Sequence, residues 1–291
     1  MRHNHGGATR RWFGGCLVAM MALSFGSAAA AEIDVFHADS LAAPMRELKA
    51  AYEATHPDVT LKLTSGVSKQ LAERIVKGEA CDVFAPSSPA VIDDDLLDKP
   101  IGAPGKIGAA WYIVFSANEM VVITAKGNPL GARELGDIAK PGVRIARVTG
   151  EKDLATDRTV EFLKREAARE GRPEIAQHIV DKAPIDSSRP VTVPDVVGAV
   201  REGRADAGIV YYSAAVGARG EVGIVRFPDT VNLSDAIRNA AAVPGTARHP
   251  REATAFVAYL TSAEAQEILK NAGQPPVNPA IRRGAVPAEV R

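Results

Sequence analysis

Four times in this chain a short apolar run passes into a helix-like pattern through a turn rich in Ser, Thr or Gly. The stretches are "VFHADSLAAPM", "TSGVSKQLAERI", "RVTGEKDLATDRT" and "VTVPDVV". In the first, Val35 and Phe36 close a strand pattern, while Leu41, Met45 and Leu48 fall on one helical face, so Ser40 stands at a helix start. The alternation continues with "CDVFAPSS" before a helix near Pro89, "MVVITA" before "ARELGDIA", and "AGIVYY" before "SAAVGA". A single long helix is predicted through "REATAFVAYLTSAEAQEILKNAG". Strands alternating with helices predict an α/β protein with mostly parallel sheets, covered on both faces by helices.

In open α/β sheets the ligand lies beyond the carboxyl ends of the strands, where loops lead into helix N-termini. Ser40, then Ser65, Gly66 and Ser68, then Thr149, Gly150, Ala155 and Thr156, and finally Val193 ahead of Pro194 occupy such positions. One serine at a helix start is ordinarily an N-cap. Four seams converging on one cleft would instead present unpaired N–H groups and the positive ends of helix dipoles. Such a cleft is an anion site that needs no buried lysine or arginine. The Ser40 and Ser68 hydroxyls would add two donors.

The first 31 residues read as a secretory signal. Arg2, Arg10 and Arg11 precede the apolar run "CLVAMMALSF", and "GSAAAAE" follows, with cleavage expected between Ala29 and Glu32. The run is well short of the ~20 residues that span a bilayer. Cys16 precedes most of that run, which argues against a lipid-bearing cysteine. The segment carries three of the 35 basic residues and none of the 35 acidic ones, leaving a formal charge of −3 (32 against 35). That balance gives no basic surface for nucleic acid, and no second apolar segment requires a membrane. The remaining ~260 residues suffice for one large domain or two lobes. Cys81 is then the sole cysteine, without a disulfide partner, and "CDVF" reads as a buried small hydrophobe. A hydrolase or transferase would need a nucleophile–base pair or metal ligands. His37, His56, His178 and His249 are scattered and lack metal-type spacing. His37 is expected to make a local hydrogen bond, and Asp93, Asp94 and Asp95 read as a solvated turn. No catalytic residue, cofactor or free metal ion is expected.

Taken in order, "VFHADSLAAPM", "SGVSKQLAERIVKGEACDVFAPSS", "WYIVFSANEMVVITAKGNP", "GRADAGIVYYSAAV" and "NAGQPPVNPA" resemble the periplasmic molybdate/tungstate-binding proteins of ABC transporters. The resemblance spans essentially the whole chain after the signal. It implies a two-lobed type II periplasmic-binding fold, with residues 32–115 plus 228–291 as lobe 1, 116–227 as lobe 2, and a two-strand hinge. It also implies capture of a tetrahedral oxyanion, molybdate or tungstate, in the periplasm, and delivery to ABC permease subunits. The protein would act as a monomer. By the same resemblance Ser40, Ser68, Ala155, Val193 and Tyr211 would bind the ligand, with Ser65, Thr156 and Asp153 as secondary candidates. The chain departs from the family where "LAT" replaces Pro-Ala-Gly. It departs again where Val210 stands in place of a carboxylate that some tungstate binders use, which favours four-coordinate, hydrogen-bonded binding and makes Asp153 a surface or capping residue. Another oxyanion or a small organic acid stays open as the ligand of the same fold, and a secreted hydrolase is the reading from another class.

Overall fold

The computed structural model describes residues 31–102, 105–151, 153–184 and 188–290, together with Met1 and His3. The predicted signal segment therefore lies outside the described residues except for Met1, His3 and Ala31. The first half of the chain follows the alternation: β1 (Ala31–Ala38), α1 (Ala42–Thr55), β2 (Val59–Gly66), α2 (Ser68–Val76), β3 (Val83–Ala85) and α3 (Pro89–Asp95). α1 buries Met45, Leu48 and Tyr52, a three-and-four spacing that lays one face on the sheet. β1 pairs in parallel with both neighbours, giving the order β2-β1-β3.

Next come β4 (Trp111–Ala117), β5 (Met120–Ala125), α4 (Leu135–Ile138), β6 (Ile145–Arg147), α5 (Leu154–Arg169), α6 (Glu174–Lys182) and α7 (Val193–Arg201). They are followed by β7 (Ala207–Tyr211), α8 (Tyr212–Gly217), β8 (Val222–Val225), β9 (Arg238–Ala241), α9 (Pro250–Tyr259), α10 (Ala263–Asn271) and β10 (Pro276–Gly284). β10, β4 and β9 form an antiparallel sheet, and the backbone bridge between Phe84 and Ala242 joins it to β3. The third sheet, β6-β7-β5-β8, is mixed: β6 and β7 are parallel, while β5 runs antiparallel to β7 and β8.

The expectation of mostly parallel sheets is thus corrected to one parallel, one antiparallel and one mixed sheet. The apolar runs of β4 and β5 are buried along almost their whole length. Continuous burial follows from cover on both faces, and an antiparallel central strand meets that condition as well as a parallel one. The predicted long C-terminal helix is also two helices. Ser262 breaks it, its Oγ accepting the Ala265 N–H at 3.2 Å as the N-cap of α10.

Core side chains fall into separate clusters. One gathers residues between Met120 and Ile237, including Phe162 set edge-on to Phe227 at 5.0 Å. Two others gather residues from 33–115 together with 240–290. The chain passes between these groups at two adjacent places, where Ser116 and Ala117 pair with Asn239 and Arg238, and the Asn118 N–H donates to the Ile237 carbonyl at 3.0 Å. A buried Glu119 fastens this crossing. It is ion-paired to Arg226 at 2.6 Å and hydrogen-bonded by Asn232, and desolvation raises its pKa.

Candidate functional site

Because β1, β2 and β3 are parallel, their carboxyl ends lie side by side, with Ala38 opposite Gly66 and His37 opposite Ala85. Just beyond stand Ser40, Ser68 and Ser87. Ser40 sits in a 3-10 turn, Asp39–Leu41, that opens α1. It is held from behind by a buried amide relay. Gln274 Nε2 donates to the Ser40 carbonyl at 2.9 Å, and Asn239 Nδ2 donates to Gln274 Oε1 at 2.8 Å and to Ser116 Oγ at 2.9 Å. Ser68 opens α2 and is buried; its Oγ accepts the Ser87 N–H at 3.2 Å. That bond uses an oxygen lone pair and leaves the hydroxyl hydrogen free to donate. Ser65 differs, because its hydroxyl donates to the Asp39 carboxylate and its hydrogen is already committed.

On the opposite side, β6 and β7 end at one edge, where Met120 of β5 faces Tyr211. Thr149 draws two helix starts together there. Its N–H donates to the Val191 carbonyl at 3.2 Å, and its Oγ1 accepts the Val191 N–H at 3.0 Å. α7 begins at Val193, after Thr192 and Asp195 have closed a reciprocal capping box. α5 is capped by Asp153, whose Oδ1 accepts the Ala155 N–H at 2.9 Å. The Ala155 N–H, expected as a free donor, therefore already has a carboxylate partner. Asp157 shares the first turn, so two carboxylates offset the dipole of α5. The buried Thr156 Oγ1 has no hydrogen-bond partner among the described residues. Tyr211 ends β7, and burial raises its pKa, keeping the phenol a neutral donor.

Arg158 joins the two sides. Its Nη2 donates to the Ser87 carbonyl at 2.9 Å, and its Nη1 donates to the Tyr211 oxygen at 3.3 Å. Ser68, Ser87, Arg158 and Tyr211 thus form one hydrogen-bonded chain from one core group to the other. The Tyr211 oxygen accepts, as the Ser68 oxygen does, and keeps its hydrogen to give. Arg158 is only 8% exposed, a buried cation among these seams that the sequence reading did not place there. The sequence did hold a signal for it. Ala155, Arg158, Thr159 and Phe162 follow the i, i+3, i+4, i+7 spacing of one helical face, and all four are buried, so a charge sits on the inward stripe of α5.

The remaining chemistry-bearing residues have local partners. The His37 ring bonds the Ala38 carbonyl at 2.9 Å, and burial lowers its pKa. Cys81 Sγ donates to the Val83 carbonyl, and burial pushes its thiol pKa well up. Asp93 accepts from the Tyr112 hydroxyl at 3.0 Å. Among the described residues, no three His, Cys, Asp or Glu side chains are grouped as metal ligands would be. Among them, too, no helix is long and apolar enough to cross a membrane. A concavity of about 700 Å³ lies beside α4 and α6, and one of about 330 Å³, lined by Val193 and Pro194, lies between α7 and α8.

The sequence of residues 33–274 matches the family model of the bacterial extracellular solute-binding proteins. The chain belongs to that family. Its members bind and hand over solutes rather than convert them, so the chain is a non-enzymatic transport component. Among relatives of this solute-binding protein, the molybdate-binding protein ModA of Mycobacterium tuberculosis is 29% identical over 244 residues, 84% of each chain. The fold resembles that of the sulfate-binding protein SubI from Mycobacterium tuberculosis, with a TM-score of 0.61 at 19% identity, covering 86% of this chain and 88% of that one. It also resembles the periplasmic molybdate-binding protein of Azotobacter vinelandii, with a TM-score of 0.60 at 16% identity, covering 83% and 98%. The α/β architecture with mixed sheets is thus that of the periplasmic binding proteins.

Proposed function

We propose that this solute-binding protein captures a tetrahedral oxyanion, molybdate or tungstate, between two lobes and delivers it to an ABC permease after export to the periplasm. One observation carries the reading. Hydroxyls from two separate core groups, Ser68 and Tyr211, lie on one hydrogen-bonded chain, and each accepts a protein N–H while its own hydrogen stays available. Donors of this kind suit an acceptor-only ligand such as an oxyanion. Ser40 and Val193, at the starts of their helices, complete the set, and the buried Thr156 hydroxyl, unpartnered among the described residues, adds another donor. Ser65 and Ala155 would join only by releasing Asp39 and Asp153.

The core clusters support the division into lobes except that Val231, Leu233 and Ile237, assigned to lobe 1 from the sequence, pack with the 116–227 group; the paired crossing at Ser116–Asn118 and Ile237–Asn239 would then be the hinge. Charge and oxygen geometry are common to molybdate, tungstate and sulfate, so cavity size on closure would select against the smaller sulfate. The name of the Mycobacterium tuberculosis relative supports molybdate.

A second reading keeps the fold and takes another oxyanion or a small organic acid. The planar fork of Arg158 favours it, because guanidinium pairs two N–H groups with a carboxylate or phosphate. Isothermal titration with molybdate, tungstate, sulfate and phosphate tests the assignment. Saturable heat with molybdate and tungstate is expected, whereas binding of sulfate alone would remove it.

A further inference from the structure

We propose that Arg158 is the charged ligand contact of this site, a guanidinium that compensates the bound anion and sets a preference for dianions. The proposal rests on the oxyanion reading above. Arg158 is buried, yet no carboxylate of a described residue forms an ion pair with it, and its partners are a carbonyl and a phenol. A buried charge held by neutral groups alone is unfavourable unless a counter-charge joins it. Arg147, also buried, is likewise held only by neutral groups, the Val148 and Val180 carbonyls, so burial alone does not single out Arg158; its bonds to Ser87 on one side and Tyr211 on the other do.

Thr156 supplies a separate observation. Two residues before Arg158 on the same helix, it holds a buried hydroxyl without a partner among the described residues, the kind of group that a ligand acceptor satisfies. The need for positive charge follows from Asp153 and Asp157. Their carboxylates oppose the roughly half-charge of the helix end, so the α5 dipole by itself cannot hold an anion. An anionic oxygen is also a stronger acceptor than the Ser87 carbonyl. Arg158 commits only two of its five N–H groups, to Ser87 and Tyr211, so a ligand oxygen can take a free Nη hydrogen without breaking that chain. Because Arg158 already reaches across both core groups, the ligand would bind where those groups meet.

The test uses molybdate and perrhenate, tetrahedral oxyanions of similar size carrying two charges and one. Both are titrated calorimetrically into the wild-type protein and into Arg158→Gln. Losing a hydrogen bond to a charged group should weaken molybdate binding about 10- to 100-fold. Coulomb energy scales with ligand charge, so perrhenate should weaken only about 3- to 10-fold. Arg158→Lys, which keeps the charge without the fork, should preserve the wild-type ratio of the two affinities. Unchanged binding by Arg158→Gln, or equal losses for both anions, would overturn the proposal. Should Arg158→Gln fail to fold, a crystal structure of the wild-type molybdate complex decides. An Nη atom hydrogen-bonded to an oxo oxygen supports the proposal, and a guanidinium remote from the anion refutes it. A wild-type protein that binds none of molybdate, tungstate, sulfate and phosphate overturns the oxyanion reading itself, and the Arg158 role with it.

Discussion

Gln274→Met isolates the relay that holds Ser40 in place. Gln274 is fully buried and makes two hydrogen bonds, donating to the Ser40 carbonyl at 2.9 Å and accepting from Asn239 Nδ2 at 2.8 Å. Methionine has nearly the same length and volume, so it leaves little cavity, but it can neither donate nor accept well. The Ser40 carbonyl loses its amide donor, while Asn239 keeps its bond to Ser116 Oγ. Leaving a buried polar group unsatisfied costs about 1–3 kcal/mol, and that is the loss expected for Gln274→Met. Gln274→Ala should cost about 1–2 kcal/mol more, because it also opens a cavity. Urea unfolding followed by far-UV circular dichroism reads both values. Oxyanion affinity should fall in the methionine variant, since the turn that presents Ser40 loses its anchor. A Gln274→Met protein within about 0.5 kcal/mol of wild type, the scatter of ordinary neutral substitutions, would refute the relay as an anchor.

Other substitutions probe the hydroxyl donors and the acid limit of stability. Ser68→Ala removes the acceptor of the Ser87 N–H and one proposed ligand donor; titration should show affinity falling by about 1–3 kcal/mol, and wild-type affinity would exclude the contact. Tyr211→Phe should weaken oxyanion binding and, because it removes the acceptor of Arg158 Nη1, also lower stability by about 1–3 kcal/mol; an unaltered affinity would take Tyr211 out of the site. Hydrogen bonds from Arg144 hold the Asp206 carboxyl at a pKa of about 2, below its usual 3.8. A depressed carboxyl contributes stability that is full above its unfolded value and is lost as pH falls towards the folded one. Wild type should therefore lose stability between about pH 4 and pH 2 more steeply than Asp206→Asn, and parallel curves would contradict the linkage.

The residues at the strand–helix seams were legible before any fold was known. Periodicity of two and of 3.6 residues marks which face of an element is buried, and that sufficed to place Ser40, Ser68 and Val193 at helix starts. It did not reveal that β5 runs antiparallel to β7, because both directions bury the same side chains. Nor could it find the break at Ser262, since the apolar stripe resumes in α10 after a single capped turn.

Polar partnership was the other hidden quantity. Asp39 takes the Ser65 hydrogen, Asp153 takes the Ala155 N–H, and Gln274 supports Ser40 across 234 positions. The sequence by itself determined the α/β alternation and the family, because both reside in local patterns of residue type. Only the tertiary structure decided which donors remain free and which charge stands among them. A hydrogen bond depends on ångström distances between groups remote along the chain, and Arg158 meets Ser87 and Tyr211 only once the two core groups are folded against each other.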